Sequence, residues 1–242
     1  MAPCSEPTNT SILSKSHVLQ LAFERVPVPT PGPRRNAAGA RRTPVQDRSR
    51  TTVAIILEAA AQVFSAHGYA ATTNQIAARA GVSIGTLYQY FTDKDALLVS
   101  LAERHVDQAR EQLGGALAAA VEATGPDGDR ATLVRTTVET AVALNRPDDL
   151  HTLLYTTAPR TPELVATLEV LRDDLAAAVA VLLQSDGVPP EDAHRRGHAL
   201  VVAIDACIHE HVLAADSEED HDQRVGDVTT LALATLAAYA TT

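Results

Sequence analysis

The chain has 242 residues and a formal net charge of −10, with hydrophobic residues at 45%, aromatics at 3% and no Trp. That length gives room for one large domain or two small ones, and the weighting towards Ala, Val and Leu favours closely spaced helices over sheets. Two cysteines, Cys4 and Cys207, are too few for a disulfide framework or a thiolate metal centre, and the first thirty residues hold no apolar run long enough to cross a bilayer, so a cytoplasmic chain without a membrane partner is expected.

The charge is unevenly spread. Residues 1–50 carry eight Lys/Arg against three Asp/Glu, residues 51–110 four against five, and residues 111–242 eight against twenty-two. The acidic rear half repels phosphate, while the neutral-to-basic front can still be seated on a polyanion.

Residues 1–46 hold seven of the thirteen prolines, among them Pro27, Pro29, Pro31 and Pro33. Alternating Pro excludes a helix and the apolar content is too low for a separate core, which predicts a disordered tail. Arg34, Arg35, Arg41, Arg42, Arg48 and Arg50 follow as a basic arm, suited to phosphates or a minor groove, or else to a solvated linker.

From Arg50 to His67, the residues Val53, Ile56, Leu57, Ala60, Val63 and Phe64 recur at three- and four-residue steps, and Gly68 suits the stop. Thr72 followed by Gln75 is a capping-box start for a short helix that Gly81 ends. Ser83 caps another through Tyr90. Thr92 or Asp93 opens a longer helix carrying Leu97, Leu98, Leu101 and His105 as far as Gly114. Further helices are expected at about 129–145, 148–157, 162–185, 190–214 and 223–240, with Pro147, Pro162 and Pro190 in first turns. No stretch alternates with period two. The expected fold class is therefore all-α: residues 47–94 form an N-terminal three-helix, helix-turn-helix head, and residues 95–242 a C-terminal helical bundle.

The segment TNQIAARAGVSIGTLYQYF, Thr73 to Phe91, has the physics of two helices meeting at a tight turn. Small Ala77 and Ala80 permit close approach, and Val82, Leu87 and Phe91 pack back on Ile76 and Phe64. That leaves Ser83, Ile84, Gly85, Thr86, Tyr88, Gln89 and Tyr90 facing out, a surface of hydroxyls, amide and rings suited to phosphates and base edges in a major groove.

Over about residues 49–108 the chain resembles the TetR family of bacterial regulators, through G-Y-x-x-T-T, I-A-x-x-A-G-V-S, T-L-Y-x-Y-F and D-K-D-x-L in one string. The resemblance implies phosphate contacts from Thr72 or Thr73 and a base-edge contact near Asn74. It implies phosphate or base contacts from Thr86, Tyr88 and Tyr90, and sequence discrimination from Ile84, Gly85 and Gln89. Lys94 would pair with phosphate beside the N–H groups opening its helix. Thr72 and Ser83 serve equally well as caps, and Lys94 as a solvated charge. The second helix of the pair has no Arg or Lys, so bidentate reading of guanine is not available to it.

Half-sites one helical turn apart require a two-fold homodimer. Its interface is expected on the last two helices, at Leu200, Ile204, Cys207, Ile208, Leu231 and Leu236, with small Ala193 and Gly197 permitting a close crossing. Leu101, His105, Leu150, Leu154, Tyr155, Leu168 and Leu171 are candidate linings of an effector cavity, and with no charges among them the ligand is expected to be apolar or amphipathic. His194, His198, Asp205 and His209 form a stripe with metal-ligand spacing, but a polar helix face explains it equally and no metal site is expected. No nucleophile elbow, phosphate-cradling glycine loop or paired-Cys set is present, and neither an enzyme nor a cofactor is expected. The expected function is a repressor that binds a palindromic double-stranded DNA operator and is released by a small molecule; the alternative is an activator or a partner-controlled regulator.

Overall fold

The computed structural model of the chain describes residues 44–124, 129–145, 149–215 and 217–241. Most of the expected tail lies outside them, including Arg34, Arg35, Arg41 and Arg42, as does Pro147. Among the described residues there is no strand. In chain order come α1 (Pro44–His67), a short turn of 3-10 helix (Gly68–Ala70), α2 (Thr73–Ala80), α3 (Ile84–Tyr90), α4 (Lys94–Thr124) and α5 (Arg130–Leu144). They are followed by α6 (Asp149–Thr157), α7 (Pro162–Ser185), α8 (Pro190–Cys207), one π-helical turn (Ile208–Val212) and α9 (Glu218–Ala240).

The head is punctuated as the residues dictate. Gly68 has φ 55° and Gly81 φ 67°, left-handed values that glycine adopts without a Cβ penalty. Thr72 and Gln75 form the reciprocal capping box on α2. Ser83 Oγ accepts from the Thr86 amide at 3.0 Å and Asp93 Oδ1 from the Ala96 amide at 2.8 Å, opening α3 and α4. The stretch Ser49–Ala70 has the length and apolarity to cross a membrane, yet its Ile56, Ala60 and Phe64 are fully buried in the head core.

Several helices differ from their expected bounds: α1 begins at Pro44, inside the expected tail, and α8 gives way to the π turn after Cys207. α4 continues past Gly114 and Gly115 to Thr124. Its last turns bury Leu117, Ala120 and Val121 against Leu133 and Ala178, and that burial outweighs the roughly 1 kcal/mol each helical glycine costs. α9 begins at Glu218, where Ser217 caps the Asp220 amide and Glu218, Glu219 and Asp220 sit in the positive first turn.

One apolar cluster runs without interruption from the head (Ile56, Phe64, Leu87, Leu97) into α6 (Leu153, Leu154) and the start of α7 (Leu164). α6 thus packs directly on the head. In the body, α7 and α8 cross closely: a Cβ built on Gly197 would stand 2.7 Å from the carbonyl oxygen of Ala176.

The stripe expected to meet a second copy is consequently turned inward. Leu200, Ile208 and Leu236 are buried in the chain's own core at 6%, 2% and 1% exposure, and Ile204 and Cys207 are half-buried against the same clusters. Small residues did invite a close crossing, but Ala-rich α7 of the same chain takes it. Of the six expected interface residues, Leu231 is exposed, at 47%.

Candidate nucleic-acid interface and effector cavity

Leu87 is fully buried and Phe91 nearly so, which fixes the roll of α3 on the head. Ile84, Gly85, Tyr88 and Gln89 face solvent as expected, with Tyr88 51% exposed. Thr86 is half-buried and its hydroxyl lies 2.8 Å from that of Ser83. Tyr90 departs from expectation: it is half-buried and packs against the head core, because it lies on the α3 flank nearest that core. On α2, Asn74 is exposed, while the Thr73 hydroxyl meets the Tyr88 hydroxyl at 3.0 Å and links the two helices. Thr72 is exposed but serves as the cap.

Lys94 is held at the start of α4 by a residue the sequence reading did not single out. Its Nζ donates to the Tyr69 carbonyl at 2.7 Å and lies 3.6 Å from the centre of the Tyr69 ring. The Tyr69 hydroxyl in turn donates to Asp95 Oδ1 at 2.8 Å. That hydrogen bond, with lesser help from burial and the neighbouring carboxylates, raises the phenol above its ordinary pKa. The G-Y pair of the motif string was the available signal. An ammonium with three donors, one of them committed to a carbonyl, can still offer the others to an anion.

A cavity of about 480 Å³ opens between α4, α5, α6, α7 and α8. His105, Leu154, Tyr155, Leu168 and Leu171 line it as expected; Leu101 and Leu150 do not, and pack in the core shared with the head, to which Leu154, Leu168 and Leu171 also contribute. Leu200, Ile204, Ile208 and Leu236, expected at a dimer interface, line it instead. The expectation of a lining without charge fails, because Arg160, Arg172, Asp205 and His209 are part of it.

Those polar groups gather at one end. His105 Nε2 lies 3.3 Å from Asn145 Oδ1, and its ring is centred 5.2 Å from that of His151. The His209 ring stacks on Tyr155 at 4.1 Å and lies 5.5 Å from His151. His209 Nδ1 is 2.9 Å from the Asp205 carbonyl and 3.4 Å from its carboxylate, and Arg172 reaches that carboxylate at 3.5 Å. Burial opposes the charge on both partners. The mutual hydrogen bonds and attraction outweigh it, so Asp205 titrates below and His209 above the ordinary value.

The suspected metal stripe is therefore split. His194 faces Asp173 at 4.0 Å and His198 faces Glu169 at 3.5 Å, while the π turn carries His209 to the cavity. No group of three or more potential ligands among the described residues is close enough to hold a metal ion.

The comparisons with known proteins agree with this architecture. Residues 56–101 match the model of the bacterial regulatory proteins, tetR family. The HTH-type transcriptional activator FasR of Mycolicibacterium smegmatis is 42% identical over 77 residues, which are 31% of this chain and 35% of that protein. The alignment thus spans about a third of that relative's length. Among solved structures, a TetR-family transcriptional regulator of Mesorhizobium loti superposes with a TM-score of 0.61 at 20% identity, covering 79% of this chain and 98% of its own. Another, from Streptomyces coelicolor, gives 0.55 at 22% identity and covers 77% and 98%. At such identities these two speak to the fold. The head thus matches the bacterial regulatory proteins of the tetR family, and over most of its length the chain shares its fold with solved TetR-family regulators.

Proposed function

We propose that the chain is a cytoplasmic, dimeric transcriptional repressor that reads a palindromic operator through α3 and loses its grip when a small molecule fills the cavity. The observation that carries this reading is the fixed α3, with Leu87 and Phe91 buried and Ile84, Gly85, Tyr88 and Gln89 presented outward. Lys94 flanks it as an immobilised cation. Thr72, Thr73, Asn74, Ser83 and Thr86 would add phosphate and edge contacts. The second copy would seat on exposed α8 and α9 surface, around Val202 and Leu231 with Ala199, Ala203 and Ala234 between them. Because α6 touches both cavity and head, ligand binding would favour one spacing of the two heads.

A gel-shift with the DNA upstream of the protein's own gene, with and without a compound panel, tests it. Tyr88→Ala is expected to weaken the complex at least about fivefold, the loss of roughly 1–3 kcal/mol of groove contact. An unchanged shift at moderate salt would overturn the site. An activator is the second reading, favoured by the activator FasR at 42% identity. A promoter fusion decides between them, since deletion of a repressor raises expression and deletion of an activator lowers it.

A further inference from the structure

The cavity is polarised. Along α4 its lining runs from Ala102 to Leu117, and the stretch from His105 to Leu117 alone covers roughly 18 Å at 1.5 Å per residue. Leu113, Leu117, Leu133, Val134 and Leu182 make the far end wholly apolar. Every ionisable lining group sits with the near end, where the three imidazoles of His105, His151 and His209 meet in ring contact beneath the head. N–H and O–H donors dominate there: three histidines, the Tyr155 hydroxyl, and the guanidinium groups of Arg160 and Arg172. The single carboxylate in the lining, Asp205, is already engaged by His209 and Arg172. A π turn, a geometry that recurs at functional sites, brings His209 flat onto Tyr155.

Resting on the reading of this cavity as the effector site, we propose that the effector is an amphiphile with one compact anionic head. The head lies among His151, Tyr155, Arg172 and His209, and an unbranched apolar tail extends towards Leu117. A cationic head would meet donors and no open carboxylate. A neutral head would forgo the charge-assisted bonds this end can make.

Three probes with the same tail separate the possibilities: decanoate, decanol and decylammonium, each titrated calorimetrically into the full chain at monomeric concentrations. Decanoate is expected to bind at least about tenfold tighter than decanol, the lower bound for hydrogen bonds to a charged group, and decylammonium weakest. His209→Asn and Arg172→Gln are each expected to lower the decanoate-to-decanol ratio severalfold. This readout does not move if a fraction of the variant is merely unfolded.

The ratio should also depend on pH. His209 faces His105 of α4, His151 and Tyr155 of α6, Arg172 of α7, Asp205 of α8 and Glu210 of its own turn, with Arg224 of α9 held nearby by Asp220 and the His211 carbonyl. Its raised pKa means that the ring is charged below that value and neutral above it, so the decanoate preference falls as pH rises through it. A ratio near one, tightest binding by decylammonium, no binding by any probe, or a ratio that is flat or grows with pH overturns the proposal. DNA release is scored separately. Preferential decanoate binding that leaves the DNA complex intact supports the anionic head and counts against the effector reading. Release by another compound with no decanoate preference overturns the anionic head and leaves the regulator standing.

Discussion

Lys94 shows how much a single side chain's setting matters. A lysine free on its four-carbon stem loses much of its entropy when it grips a phosphate; one already resting on the Tyr69 ring and carbonyl has surrendered most of that freedom beforehand. Lys94→Ala is therefore expected to weaken operator binding and to reduce the slope of log affinity against log salt by about one unit. Tyr69→Ala keeps the charge, so it should leave that slope in place while lowering affinity by a smaller factor. Binding titrations at several salt concentrations separate the two. At the turn between α2 and α3, Gly81 holds φ 67° with nothing within 4 Å of a built Cβ. Gly81→Ala thus meets no obstruction and costs backbone conformation alone, about 1 kcal/mol, seen as a lower thermal midpoint. Caps and turns of this kind were readable from the residues, because their chemistry is local. The role of Tyr69 was not, since its partners Lys94 and Asp95 lie some 25 positions on.

At the level of helices, periodicity revealed which residues go inward but not what they meet. Ala193, Gly197 and Leu200 on α8 were rightly read as a close-packing stripe and wrongly given to a second copy; 24-residue α7 occupies them within the chain. Gly197→Ala provides the check. A methyl 2.7 Å from the Ala176 carbonyl oxygen and 3.3 Å from Val179 forces the helices apart, at about 1–3 kcal/mol. Urea unfolding should show that loss, whereas Gly226→Ala, with open space around its Cβ on α9, should gain helix propensity and cost nothing. The polar end of the cavity escaped the sequence reading for a related reason. His105, His151, Arg172 and His209 sit on separate elements, and an isolated histidine carries no sign of which others it will join. Asp205 and His209 were noticed through their spacing, but the π turn that brings His209 to the cavity left no trace in the pattern.

For the molecule as a whole, the acid excess of the body would discourage any face except the head from approaching DNA. The proposed dimer would depend on what α8 and α9 leave uncovered. A charge placed there by Leu231→Arg is expected to shift sedimentation towards monomer and to abolish operator binding, with helicity by circular dichroism retained. A dimer that survives this change and still binds would move the interface elsewhere. The all-α class was legible in composition and periodicity, and the helix-turn-helix head in one long motif string; which apolar stripe of α8 the chain would keep for its own core was not, because such stripes look alike until the chain has chosen.

Nine-residue α6 has a consequence for any attempt to dissect the protein. Leu153 and Leu154 close over the same hydrophobic nucleus as Phe64 and Leu97, while His151 and Tyr155 from the same helix wall the chamber behind. The helix-turn-helix head is thus roofed by the body, not tethered to it. A fragment ending at Asp93 would lose that roof along with α4, leaving greasy side chains uncovered. It should be recovered as aggregate, where a detachable module would be soluble and folded.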